Sequence, residues 1–121
     1  MTKENPKAIV IEDMPNWREI ISETLISAGV EVAVIAATLP AALEAIRQIQ
    51  DGDIDLITLD GNLGKNLNNE DAQKILELIA DLELNLTTIG MGTFDIYGVD
   101  MDIGKSRKAL KEALEKLGFT A

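Results

Sequence analysis

Five short aliphatic runs alternate along this chain with stretches whose apolar residues recur at helical spacing, and that alternation limits the possible folds severely. The first run, Ala8-Ile9-Val10-Ile11, stops at Glu12-Asp13. Pro15 then suits the first turn of a helix, where its missing N–H is no loss. Trp17, Ile20, Ile21, Thr24, Leu25 and Ala28 share one face of that helix. Arg18, Glu19, Ser22 and Glu23 turn away from it, and Gly29 closes it at the usual left-handed position. Val30 to Ala36 reads as a second strand, and Thr38 is placed to cap a helix striped by Leu39, Ala42, Leu43, Ile46 and Ile49. Ile54 to Asp60 reads as a third strand, buried on both faces and ending in a carboxylate followed by Gly61. A third helix is expected from about Glu70 to Leu82, a fourth strand from Leu84 to Ile89, and a short fifth from Val99 to Ile103. Ser106 caps a last helix faced by Ala109, Leu110, Ala113, Leu114 and Leu117, with Gly118 at its end.

Units of this length imply a parallel sheet with right-handed crossovers and helices on both faces. The expectation is one α/β domain over residues 1–121, with 1–6 a disordered lead-in. Its architecture is flavodoxin-like: a doubly wound, five-stranded parallel sheet in the order 2-1-3-4-5. Parallel neighbours need a crossover of about a dozen residues or more. The link between strands four and five is shorter, so the helix there is expected to be shortened or missing.

Composition excludes whole classes of chemistry. Cysteine and histidine are both absent, which removes disulfides, thiolate nucleophiles, zinc–cysteine sites, a Ser-His-Asp triad and a phosphohistidine on this chain. A net charge of −10 argues against nucleic-acid and anionic-membrane partners, which select clustered Lys and Arg. No apolar run approaches the roughly 18–20 residues of a membrane span, and the polar start is no signal peptide. A cytoplasmic location is expected. Five of the eleven bases (Lys105, Arg107, Lys108, Lys111 and Lys116) fall in the last 17 residues, where Glu112 and Glu115 balance them as on a solvated helix face.

The chemistry-bearing residues sit at strand ends. Strand one ends at Glu12-Asp13, strand three at Asp60, and strand five is followed by Lys105. In the order 2-1-3-4-5, strands one and three adjoin at the switch point where the crevice opens. Three carboxylates would meet there and resist ionising together, a conflict that a hard cation such as Mg²⁺ relieves. With the cation in place Asp60 becomes a candidate phosphoryl acceptor, and Lys105 a point charge for the phosphoryl oxygens. Taken singly, an Asp-Gly turn, an acidic helix start and a solvated lysine each have a bland explanation; their coincidence does not.

These residues resemble the receiver domain of two-component response regulators over essentially the whole chain. Ile11-Glu12-Asp13-Met14-Pro15, Leu59-Asp60-Gly61-Asn62-Leu63 and Gly98-Val99-Asp100 through Lys105 are similar to its three signatures, in order. The resemblance implies Mg²⁺ held by Glu12, Asp13, Asp60 and the backbone carbonyl of Asn62. It also implies phosphorylation of Asp60 by a sensor histidine kinase, a phosphotransfer protein or a small phosphodonor, with Lys105 pairing to the acyl phosphate. Any enzymatic activity would be self-phosphorylation and self-dephosphorylation.

The pattern breaks at the relay. The family's hydroxyl after strand four falls on Gly90 or Gly92, with Thr93 a nearby stand-in, and its aromatic switch position holds Asp102. The proline expected after the lysine is Ser106. If phosphorylation alters the domain, the 61–69 loop and the 90–98 segment are where the change is expected. A pseudo-receiver, binding protein partners without phosphorylation, is the alternative. A third reading, a Toprim-type acidic triad of Glu12 with Asp100 and Asp102, ranks below both: Glu12 lacks the glycine that should follow it, and the chain's acidity suits polynucleotides poorly.

Overall fold

The computed structural model describes residues 5–50, 52–61, 63, 70–93 and 95–119. Its elements follow in the order β1 (Lys7–Ile11), α1 (Pro15–Ser27), β2 (Glu31–Ala36), α2 (Leu39–Arg47), β3 (Leu56–Leu59), α3 (Glu70–Asp81), β4 (Thr87–Gly90), β5 (Met101–Asp102) and α4 (Arg107–Leu117). All strand pairs are parallel, and the sheet runs β2-β1-β3-β4-β5 as the sequence predicts. Within the expected lead-in only Asn5 and Pro6 are described, and the Pro6 carbonyl accepts from Glu31 N–H at 2.8 Å.

Alternation along the central strands builds two cores. Ile9, Ile11, Ile57 and Leu59 point to one face and pack against Ala42 and Ile46 of α2 and Ala72, Ile75 and Ile79 of α3. Ala8, Val10 and Leu56 point to the other, against Ile21 and Leu25 of α1 and Leu110, Ala113 and Leu114 of α4. Each fully buried Ile or Leu contributes about 1.5–3 kcal/mol, so these two aliphatic layers dominate folding and fix the strand register. A slip by one residue would exchange the layers. The same period of two carries on past the strand ends: Glu12 follows the parity of Ala8 and Val10, and Asp60 that of Leu56 and Thr58. Both acids therefore leave the sheet toward α1 and α4.

The caps form where the sequence places them. Thr38 accepts from Ala41 N–H at 3.3 Å, Ser106 accepts from Ala109 N–H at 3.1 Å, and Gly118 ends α4 at φ 81°.

Strands four and five are shorter and later than the hydropathy pattern suggests. Leu84 does not enter a strand, because its N–H returns to the Ile79 carbonyl at 3.1 Å behind Glu83, which is left-handed at φ 53°. Leu84 and Leu86 thus finish α3 and cover its core, an apolar pair that sequence alone cannot tell from a strand.

No helix occurs among the described residues between β4 and β5. Carboxylates organise that link instead. Asp100 Oδ2 accepts from Thr88 N–H at 2.8 Å and from Thr88 Oγ1 at 3.2 Å, and Asp102 Oδ2 accepts from Ile96 N–H at 3.1 Å. Gln73 on α3 donates to the Tyr97 carbonyl at 3.1 Å, and buried Ile96 fills the face that a crossover helix would cover.

Gly90 is part of this arrangement. A Cβ there would lie 2.7 Å from Asp102 Oδ1 and 3.2 Å from Val99 Cγ2. Gly90→Ala is therefore expected to destabilise the fold by about 1–3 kcal/mol, by overpacking. In a double-mutant cycle read by urea denaturation, Asp102→Ala should recover part of that loss. Strict additivity of the two changes would refute the steric account.

Candidate functional site

Three elements deliver the charged residues to one notch at the carboxyl ends of the strands. The Glu12 N–H pairs with the Ala36 carbonyl at 3.0 Å, and the Asp60 N–H with the Ile11 carbonyl at 3.0 Å, so both backbones are held as continuations of the sheet. Glu12 is fully buried and Asp60 only 5% exposed. Lys105 enters after β5, and its Nζ lies 2.6 Å from Glu12 Oε1 and 3.7 Å from Asp60 Oδ2. Glu12, Asp13 and Asp60 each offer an oxygen within 4.8 Å of the others. The sequence predicts this convergence of Glu12, Asp13, Asp60 and Lys105, and the folded chain brings the four together.

Crowding acids together has an electrostatic consequence. Burial first, then hydrogen bonding and charge repulsion from Glu12 and a hydrogen bond with Asp13, push the Asp60 carboxyl up to about 8; Lys105 pulls the other way. At neutral pH and with no cation, Asp60 therefore holds a proton more often than not. The donor set is three hard carboxylate oxygens in a mostly buried recess. That suits a hard divalent cation of the Mg²⁺ class, which takes carboxylate oxygens and keeps part of its water shell.

Two residues of α1 frame the notch. The Lys105 ammonium stands 5.6 Å from the centroid of the Trp17 ring, a cation–π arrangement that leaves the indole beside the site. Arg18, which helical periodicity turns toward solvent, instead curls back. Its Nη1 donates to the carbonyls of Glu12 at 3.3 Å and Asp13 at 2.9 Å. The sequence signal for Arg18 was weak, because a long polar side chain near a helix start reads as a solvated face. Its position five residues after an acidic strand end was the only clue.

Other expectations fare differently. Asn62 lies outside the described residues, as does most of the 61–69 loop, although Leu63 N–H reaches Asp71 Oδ2 at 2.8 Å. Thr93 is exposed three residues past β4, and no hydrogen bond joins it to Asp60 or Lys105 among the described residues. Asp100 and Asp102 are engaged with Thr88 and Ile96, and they do not join Glu12 in a cluster able to hold a metal ion. The acidic triad of the third reading is therefore not assembled.

The raised Asp60 carboxyl makes stability depend on pH. Its folded value, about 8, exceeds the ordinary 3.8, so between those values the folded state binds more protons than the unfolded one. Stability should fall as pH rises from about 4 to 8 and then level off. Asp60→Asn removes this term. In chelator, its Tm should match the parent near pH 4 and exceed it by roughly 5 °C or more at pH 8. Thermal melts showing a gap independent of pH would contradict the electrostatic account.

No protein-family model matches the sequence, and a search of curated proteins finds no match. Solved structures do match over nearly the whole chain. The receiver domain of the response regulator NarL from Mycobacterium tuberculosis superposes with a TM-score of 0.75 at 20% identity, covering 95% of this chain and 97% of that one. CheY of Borrelia burgdorferi, in a complex with CheX, BeF3 and Mg, gives 0.76 at 18% identity, covering 93% and 89%. CheY6 of R. sphaeroides, in a complex with the phosphorylated P1 domain of CheA3, gives 0.69 at 18% identity, covering 93% and 95%. With its strand order and the acids and lysine at its strand ends, this chain has the fold of the response-regulator receiver domain.

Proposed function

We propose that this chain is a phosphoacceptor of two-component signalling, taking a phosphoryl group at Asp60 and passing the signal on by protein–protein contact in the cytoplasm. The observation that carries this reading is the meeting of Glu12, Asp13, Asp60 and Lys105 in one buried notch. Glu12, Asp13 and Asp60, with the Asn62 carbonyl, would hold Mg²⁺. The ion would supply the positive charge that lets the acids ionise together and that offsets the phosphoryl oxygens.

The chain's own residues do the rest. An Asp60 carboxylate oxygen attacks phosphorus, the donor's P–N bond breaks, and the released imidazole nitrogen takes up a proton. Lys105, already 3.7 Å from Asp60 Oδ2, turns its ammonium to the phosphoryl oxygens. Burial of Asp60 limits the access of water to the product. Donors would be the phosphohistidine of a kinase or phosphotransfer protein, or a small phosphodonor. The neighbours support this reading: one is a CheY with BeF3 and Mg, and another is a CheY6 bound to the phosphorylated P1 domain of CheA3.

One observation favours a second reading, a pseudo-receiver that binds partners without phosphorylation. Gly90 is one of the two residues on which the usual hydroxyl falls, and a side chain there would run into Asp102, Val99 and Ile96. No hydroxyl or aromatic residue stands at the two relay positions.

Beryllium fluoride distinguishes the two. With Mg²⁺, the phosphoacceptor reading expects an adduct signal in ¹⁹F NMR that disappears in Asp60→Asn. No Mg²⁺-dependent adduct on the parent chain, together with partner binding unchanged in Asp60→Ala, would establish the pseudo-receiver instead.

A further inference from the structure

Three successive carbonyls of the β1–α1 connection end on one residue. The Arg18 backbone N–H closes the first turn of α1 on the Met14 carbonyl at 2.9 Å. Its side-chain Nη1 takes the carbonyls of Glu12 and Asp13 at 3.3 and 2.9 Å. Helix α1 has no side-chain N-cap, since Met14 stands at that position. Met14 N–H turns back to Glu12 Oε2 at 3.3 Å, so the conformation of the connection and the direction of the Glu12 carboxylate are linked. A change in the backbone torsions of Glu12 or Asp13 would redirect its Cα–Cβ bond and with it the carboxylate.

We propose that Arg18 is a positioning residue for divalent-cation binding: by holding the peptide carbonyls of Glu12 and Asp13, it keeps both carboxylates aimed at Asp60. This role rests on the phosphoacceptor reading, in which those acids hold Mg²⁺. The Arg18 side chain acts through the backbone of two ligands and itself touches neither ion nor phosphoryl group. Charge and geometry pull in opposite directions here. A guanidinium beside the site repels a cation, so removing charge alone would tighten binding. Removing a clamp lets the acids drift, so binding weakens despite the relief. The sign of the change separates the two effects.

Trp17 is the only tryptophan of the chain and stands beside Lys105, so its emission follows the notch during a titration with MgCl₂. Arg18→Met should raise the Mg²⁺ Kd about tenfold or more, the usual cost of losing a group that orients metal ligands. Arg18→Lys keeps a cationic donor on a shorter stem and should fall between Arg18→Met and the parent. If the Met variant does not fold, the Lys variant carries the same sign test, with a Kd above the parent's expected. In metal-free protein, hydrogen exchange at the Met14 amide should accelerate in Arg18→Met while that of β3 stays unchanged. A Kd unchanged or lowered in the variants, with the parent saturating, overturns this role and leaves the phosphoacceptor reading standing. The absence of any saturable response in the parent overturns that reading, and this role with it.

Discussion

Glu12 has no exposed surface, and the ammonium of Lys105 lies 2.6 Å from its carboxylate. Around that pair the rest of the notch must be balanced. Removing one partner of such a buried pair typically costs about 3–5 kcal/mol, because the remaining charge has neither water nor counter-ion. Lys105 comes from the far end of the chain, after β5, so the pair joins the first strand to the last. Two central strands, β1 and β3, bring the acids, and a residue that follows the fifth brings the cation. One ammonium against three carboxylates is still a deficit, and Asp60 meets it by holding a proton near neutral pH. A divalent cation would remove that need. The site is thus poised between two ways of settling the same charge.

The charged notch and the β4–β5 link are built from different parts of the molecule. Glu12 and Asp60 sit on the sheet's central strands, anchored by ladder hydrogen bonds to Ala36 and Ile11. The link between β4 and the edge strand β5 is held differently: Asp100 and Asp102 tie the backbone of Thr88 and Ile96. A helix there would cover the sheet with a long apolar stripe. Here Ile96 and Val99 do so, and Asp102 takes up the Ile96 N–H, a backbone donor within the link. The same substitution leaves no room at Gly90 for a side chain.

Much of this was legible in the sequence, for reasons that can be named. The parallel sheet follows from aliphatic runs that alternate with helical stretches, and the placing of Glu12-Asp13, Asp60 and Lys105 at strand ends from where those runs stop. Ser106 and Gly118 bound the last helix because a cap and a left-handed glycine are local chemistry. Leu84 and Leu86 were misleading because an apolar alternation after a helix can finish that helix as well as begin a strand. Arg18 was misplaced because periodicity gives the direction in which a side chain starts, not where a long one ends.

The central claim is that the notch demands positive charge, and ¹³C NMR of the Asp60 carboxyl tests it most directly. Titrated in chelator, the carboxyl should show a midpoint near 8, shifted down by several pH units once Mg²⁺ saturates the site. A midpoint at the ordinary value near 3.8 in chelator, unmoved by Mg²⁺, would contradict the account.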